Sequence, residues 1–178
     1  MREKEAGPLA AIFIRPFDRS EWEIFRNLRL QALTDEPGVF AASYDSAAAL
    51  SPEEWQDTVQ GPDHQVFGLF DEARLIGITA AFTWRDDPSG ETALLAMSFI
   101  IPEYRGRGLS QLLYEARLIW IRTRSQFRRV VVYHRESNER SRRANQRFGF
   151  SVLQRASRKW PDGATEDEVL YELKMDSQ

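Results

Sequence analysis

The residues best placed to do chemistry in this chain form the run Ile100-Ile101-Pro102-Glu103-Tyr104-Arg105-Gly106-Arg107-Gly108-Leu109-Ser110. An apolar stretch from Thr92 to Ile101 breaks at a proline. Two glycines separated by one arginine follow, and an amphipathic helical pattern starts at once. Such a strand-to-helix turn leaves backbone N–H groups without intrachain partners at the positive end of a helix dipole, which makes a ready anion site. Glycine lets the main chain approach a phosphate closely and take φ > 0 at little steric cost. The chemistry predicted is the grip of a phosphorylated cofactor by main-chain amides between Arg105 and Ser110. The run is not a P-loop, because no Gly-Lys-Ser/Thr follows. It is not a dinucleotide fingerprint either, because Gln111 stands where a third glycine would be. Taken alone, a Gly-x-Gly also suits a tight turn that binds nothing.

Positioning that turn takes a strand before it and a helix after it, and the rest of the chain supplies partners for both. Ala10 to Arg15 reads as a first strand. Ser20-Glu21-Trp22-Glu23 reads as a capping box opening a helix to about Leu33, with Ile24, Phe25, Leu28 and Ala32 on one side. Thr34 to Ala49 is irregular or partly helical. Ser51-Pro52-Glu53-Glu54 is a second capping box with proline at the first helical position, and that helix ends at Gly61-Pro62. Gln65–Phe70, Leu75–Trp84 and Thr92–Ile101 read as three antiparallel strands joined by Asp71–Arg74 and by Asp86–Gly90. The helix after the glycine turn sets Leu109, Leu112, Leu113, Ala116 and Trp120 at core spacing. A β-branched strand, Arg128–His134, precedes a helix from about Ser137 to Phe148 with Gly149 just past its end. Phe150–Trp160 and Val169–Lys174 close the chain as a hairpin about Pro161-Asp162-Gly163. Residues 1–8 read as a flexible terminus and 9–176 as one domain. The order predicts a mixed α/β (α+β) fold: a mostly antiparallel central sheet of about seven strands with helices on both faces.

Composition removes several kinds of chemistry. The 178 residues include no cysteine and two histidines, so disulfides, thiolate zinc sites, an acyl-cysteine intermediate and a histidine-rich metal site are all unsupported. No apolar run is long enough to suggest a membrane span, the N-terminus lacks a signal-peptide layout, and a cytoplasmic location is expected. Net charge is −3. It hides an asymmetry, with 15 Lys/Arg against 3 Asp/Glu from Tyr104 to Lys159, and 8 against 18 before Tyr104. A basic block that begins at the glycine turn suits an anionic ligand. Nucleic acid is not expected, because aromatics do not interleave with these cations as stacking platforms would.

This order of elements, with these motifs, resembles the GNAT superfamily of N-acetyltransferases over nearly the whole chain, from about Ile12 to Leu173. The acetyl-CoA pyrophosphate motif of that family, Arg/Gln-x-x-Gly-x-Gly/Ala, is matched by Arg105-Gly106-Arg107-Gly108-Leu109-Ser110, with Ser110 at the final small position. A second motif, a helix opening near an asparagine and closing in Gly-Phe, is matched from Asn138 to Gly149-Phe150. The segment holding Arg29, Leu33, Pro37 and Phe40 looks like the family's substrate-side helix and loop. The resemblance implies a splay between the strand ending at Ile101 and the strand ending at His134. It implies pantetheine contacts at the backbone of Phe99 and Ile100 and at Asn138, and pyrophosphate on the amides of the glycine turn. Arg140, Arg142 and Arg143 become candidates for the adenosine phosphate. One departure is plain: many members carry a tyrosine, as general acid, seven residues after the asparagine, and this chain has Asn145.

The implied reaction moves acetyl from acetyl-CoA to a primary amine, on a small molecule or a peptide N-terminus, by direct attack in a ternary complex. His134 is a candidate base because its ordinary pKa suits the role. Asn145 is a candidate hydrogen-bond donor to the sulfur. Tyr133 must point opposite His134 if the strand is regular. Phe40, Tyr44 and Trp84, with Asp35, Glu36 and Trp160, are candidates to wall the acceptor pocket. The alternative is an acyl-CoA-binding or regulatory module on the same fold with catalysis lost. The terminal hairpin offers a surface for a homodimer.

Overall fold

The computed structural model describes residues 12–175. The terminal segment 1–8 and the expected strand start at Ala10 lie outside the described residues. Among these residues eight strands form one sheet: β1 (Ile12–Pro16), β2 (Gln60–Gly61), β3 (His64–Asp71), β4 (Arg74–Thr83), β5 (Thr92–Ile100), β6 (Arg129–Arg135), β7 (Ser151–Lys159) and β8 (Thr165–Lys174). Their order is β1-β3-β4-β5-β6-β8-β7, with the two-residue β2 paired to β3. Every pairing is antiparallel except β5 with β6. The expected sheet of about seven strands is thus present, with β2 as a short addition.

Among the described residues five helices accompany the sheet: α1 (Trp22–Asp35), α2 (Tyr44–Ala48), α3 (Pro52–Val59), α4 (Ser110–Arg122) and α5 (Glu139–Arg147). Ser51 caps α3 as read from sequence, its hydroxyl accepting from the Glu54 N–H while the Glu54 side chain returns to the Ser51 N–H. The cap before α1 is two residues earlier than the sequence reading. A 3₁₀ turn, Arg19–Glu21, precedes the helix, and the reciprocal box is made by Asp18 and Glu21. Arg15 holds the Glu21 carboxylate at 2.7 Å, which fastens this corner to β1.

The buried stripe of α1 is Phe25, Leu28, Arg29, Leu30, Ala32 and Leu33, whereas Ile24 is exposed. In α4 the buried side chains are Leu113, Tyr114, Arg117, Leu118 and Ile121. Of the predicted core face only Leu113 is fully buried, and the helix is rotated by about one position. Two apolar clusters result. One gathers Phe25, Leu33, Trp55, Val59, Leu69, Ile76 and Ile78. The other joins α4 to the β6/β8 half through Leu118, Ile121, Phe127, Val130, Phe150 and Tyr171.

Burial of this kind is the main favourable term in folding. Phe25, fully buried and edge-on to Trp55 at 5.7 Å, should therefore cost ~3–5 kcal/mol when cut to alanine. Ser51→Ala should cost ~1 kcal/mol. Asp18→Ala should lower the urea midpoint more than Ser20→Ala does. Equilibrium urea denaturation of these variants checks all three, and a Ser20 effect exceeding that of Asp18 would place the cap where the sequence pattern first put it.

Candidate functional site

The parallel pairing of β5 and β6 stops early. It runs from Thr92 opposite Arg129 to Leu95 opposite Val132, and then the strands part. The cause lies in β5. Its register with β4 shifts between Ile78 and Ala80, so that one extra residue is taken up near Met97, whose φ is 59°. An extra residue in one strand bends it and increases its twist. A non-glycine residue in the left-handed region is uncommon and is held only where its surroundings fix it. Beside the bulge, the Thr79 and Ser98 hydroxyls hydrogen-bond at 2.8 Å. Beyond it, the Ile101 N–H returns to Ile76 O on β4. By strand alternation the polar groups of Ile100 then face the open side. The Ile100 carbonyl is taken by Arg105 Nε at 2.7 Å.

The glycine turn sits at the mouth of this splay. Gly106 and Gly108 have φ of 76° and 75°, and nothing lies within 4 Å of where a Cβ on either would be. Among the described residues, the consecutive N–H groups from Gly106 to Ser110 have no backbone acceptor. No acidic residue lies in the first turn of α4, and no side chain caps it. The result is a concave nest of amides at an uncompensated helix N-terminus, which is an anion cradle.

A cavity of about 430 Å³ opens from the cradle. Phe99, Ile100, Arg105, Gly106, Gly108, Leu109, Ser110 and Asn138 all line it. Arg107 contributes its amide, while its guanidinium lies over the Tyr104 ring at 4.9 Å. Asn138 caps α5, its Oδ1 accepting from the Ser141 N–H at 3.1 Å. From α5, Arg140, Arg143 and Arg147 face the cavity. Arg142 turns away and pairs with Glu139 at 2.5 Å. Arg147 is an addition to the sequence reading, although its spacing of seven from Arg140 puts both on one helical face. Glu36 joins Arg105 at 2.9 Å and Arg140 at 2.6 Å. It therefore belongs to this cavity rather than to an acceptor pocket.

A second cavity, of about 1130 Å³, is lined by Arg29, Phe40, Trp84, Tyr133, Arg158 and Glu168, among others. Strand β5 runs from one cavity to the other. Leu94 to Met97 face the larger and Ser98 to Ile100 the smaller, so the changeover falls at the bulge. Val39, in the loop after α1, lines both. That loop is held by Glu36 and by Gly38, whose carbonyl accepts from Arg135 at 3.1 Å. A side chain on Gly38 would collide with Asp162 and Arg135.

Several sequence candidates lie elsewhere. Tyr44 opens α2, is 46% exposed and lines neither cavity. Trp160 is buried, with Nε1 donating to Glu166 O at 3.1 Å. His134 is 4% exposed, stacks on Tyr171 at 5.1 Å and lines neither cavity. Its Nδ1 meets Arg135 O at 2.7 Å and its Nε2 has no partner among the described residues. Strand alternation sends Tyr133 into the larger cavity and His134 away from it. Burial holds the His134 pKa below its ordinary value, and Arg142 and Arg155 lower it further. Asn145 is fully buried beside the cavity rather than in its wall, its Oδ1 accepting from the Tyr114 hydroxyl at 2.5 Å. Tyr114 itself lines the smaller cavity.

The sequence profile of the acetyltransferase (GNAT) family matches residues 17–150. The chain belongs to the GNAT acetyltransferase family. Comparison with curated proteins gives no match. Among solved structures, this GNAT chain is similar to a GNAT-family acetyltransferase from Streptococcus pneumoniae, with TM-score 0.80 and 17% identity over 93% of this chain and 100% of that one. It is similar to yncA of Salmonella typhimurium with its cofactor acetyl-CoA, with TM-score 0.78 and 16% identity over 94% and 96% of the two chains. It is also similar to Arabidopsis thaliana NAA60 in complex with a bisubstrate analogue, with TM-score 0.73 and 18% identity over 94% and 100%. The glycine turn, the splay and the opening of α5 all fall inside the matched range.

The depressed His134 pKa has a sign that can be checked. In the folded protein the ring stays neutral to lower pH than in the unfolded chain. Between the depressed value and about 6.5 the unfolded state therefore binds more protons, and stability falls as pH falls through that window. His134→Phe should remove this component. Urea midpoints at about pH 5 and 7 should lie closer together in the variant than in the parent, and an unchanged gap would mean that the imidazole is not held neutral by burial.

Proposed function

We propose that this GNAT protein transfers acetyl from acetyl-CoA to a primary amine, borne by a small molecule or a peptide N-terminus. The observation that carries the reading is the row of unpartnered amides from Gly106 to Ser110 at the mouth of the splay. The residues present fit the cofactor. The cradle is open where any Cβ would fill it, and Arg140, Arg143 and Arg147 surround the same cavity with positive charge. The cradle takes the diphosphate and Asn138 the pantetheine arm. The acetyl-CoA bound in yncA supports this choice of ligand.

Acetyl-CoA supplies an acyl thioester already activated for attack. With no cysteine in the chain, the amine nitrogen attacks the acyl carbon directly. The N–C bond forms, the C–S bond breaks, the nitrogen loses a proton and the departing sulfur gains one. The Ile100 N–H on the open side of β5 suits a developing negative charge on the thioester oxygen. Tyr133 lines the larger cavity from the other arm of the splay. Burial raises its pKa, so its hydroxyl keeps its proton at neutral pH and serves as the proton donor to sulfur. Asn145 has no acidic proton to give, and its Oδ1 is taken by the Tyr114 hydroxyl.

Gly108→Val should abolish acetyl-CoA binding in calorimetry, because a branched side chain at φ 75° both strains the turn and fills the cradle. The circular dichroism spectrum should match the parent, and normal binding by the variant would remove the diphosphate assignment. Tyr133→Phe should lower kcat by ~10²-fold, the lower end of what a general acid contributes, and leave acetyl-CoA affinity intact. Thiol release across an amine panel measures both activity and this effect. Cofactor binding without any acceptor-dependent CoA would instead favour a binding module on the same fold.

A further inference from the structure

Arg29 lies where a cation is expensive. It sits on the buried stripe of α1, is 6% exposed and lines the larger cavity. Its Nη1 has no hydrogen-bond partner among the described residues. No carboxylate among them pairs with it, and its favourable neighbours are the Tyr133 phenol and the face of the Phe40 ring. Its guanidinium stands 4.6 Å from the centre of the Phe40 ring. Burial pulls its pKa down to about 10, against an opposing upward pull from Tyr133. A guanidinium still keeps its charge at neutral pH, so the cost of desolvating it is not escaped by losing a proton.

The other buried guanidinium, Arg117, makes a useful contrast. It lies over the Tyr114 ring at 4.5 Å and donates to Leu113 O at 2.9 Å, and although its Nη2 also lacks a partner among the described residues, it lines neither cavity. Arg117 is packed into the protein, whereas Arg29 is left facing a space large enough for a ligand. A buried charge without a partner is costly, and because Arg29, unlike Arg117, borders a cavity, an anion can enter there and supply the partner.

The geometry points to an acceptor that carries a carboxylate, bound by Arg29 in the larger cavity while the amine of the same molecule reaches the splay. This rests on the acetyl-transfer reading above and narrows its acceptor to an amino-acid-like zwitterion. Of the other arginines on the lining, Arg158 is paired with Glu168 and Arg85 is exposed to solvent, which leaves Arg29 as the buried cation open to a ligand. The exposed carboxylates Glu54 and Asp86 stand on the same cavity and suit the approach of an ammonium group. A planar guanidinium fork also matches a carboxylate in shape.

Propionate, propionamide and methylphosphonate are the probes. In the presence of saturating CoA, propionate should raise the melting temperature of the protein by several degrees and propionamide should not. Arg29→Met should lose the propionate shift, Arg29→Gln should lose it too, and Arg29→Lys should keep part of it. In thiol release, amines bearing a carboxylate should exceed their carboxamides by roughly 10²-fold or more in kcat/KM. Arg29→Met should erase that ratio mainly through KM for the acceptor. An equal response to propionate and propionamide, no response to either, a shift that survives in both Met and Gln variants, or a larger shift with methylphosphonate would each overturn the proposal. Loss of acetyl-CoA binding in the parent protein would instead count against acetyl transfer itself, and calorimetry without any acceptor separates the two failures.

Discussion

The parting of β5 from β6 is the constraint on which the rest of the structure depends. Two parallel strands that begin in register would continue side by side unless one were bent, and each here is fixed on its outer edge, β5 to β4 and β6 to β8. The bulge near Met97 bends β5 while its bonds to β4 resume at Phe99. The edge left open cannot be a dry one, because buried main-chain polar groups need partners. Part of the need is met from within, through the Arg105 side chain on Ile100 O. The remainder is a row of polar backbone between two cavities. A ligand that is itself a chain of amides, such as pantetheine, satisfies it without disturbing either outer pairing.

The cofactor side of the site was legible in the sequence because its signals are local. Glycines that must take positive φ, a proline that ends a strand and an asparagine at a helix start act within a few residues. The acceptor side was not legible in the same way. Tyr133 and His134 are adjacent, and only the register of β6 decides which of them meets a cavity. Nothing in the residue types alone decides between them. Met97 carries the bulge with a residue type that has no preference for positive φ, so nothing in the string announces it. The caps show the same limit on a smaller scale. Ser51 was found because proline fixed the first helical residue, whereas the 3₁₀ turn before α1 moved the cap from Ser20 to Asp18. Arg147 and Arg29 were within reach of spacing arguments. Arg147 repeats the face of Arg140, and Arg29 falls four residues from both Phe25 and Leu33 on a stripe that is otherwise apolar.

Charge is divided between the two cavities in different ways. Around the cradle, the arginines of α5 are partly exposed and Glu36 bridges two cations, Arg105 and Arg140. A network of that type holds the loop after α1 against α5 and can exchange a carboxylate for a phosphate with little change in net charge. The arrangement is pre-organised rather than strained, since Arg105 and Arg140 keep Glu36 as a partner whether or not an anion is bound. The larger cavity does the opposite. Arg29 has no substitute partner, so the free protein carries the full desolvation cost of that guanidinium.

That difference bears on where selectivity would reside. The exposed glycine amides and α5 arginines of the cradle are in reach of water when no ligand is bound, so they gain little by distinguishing one anion from another, and broad contact with a diphosphate asks for no more. A site with one unsatisfied buried charge penalises every acceptor that leaves it unsatisfied, because the cost of the orphan persists in the wrong complex and vanishes in the right one. The same logic explains why the cation sits on a helix rather than on a loop. Packed between Leu28 and Leu30 on the buried face of α1, the Arg29 backbone cannot swing its guanidinium out to water, so the missing charge has to be brought to it.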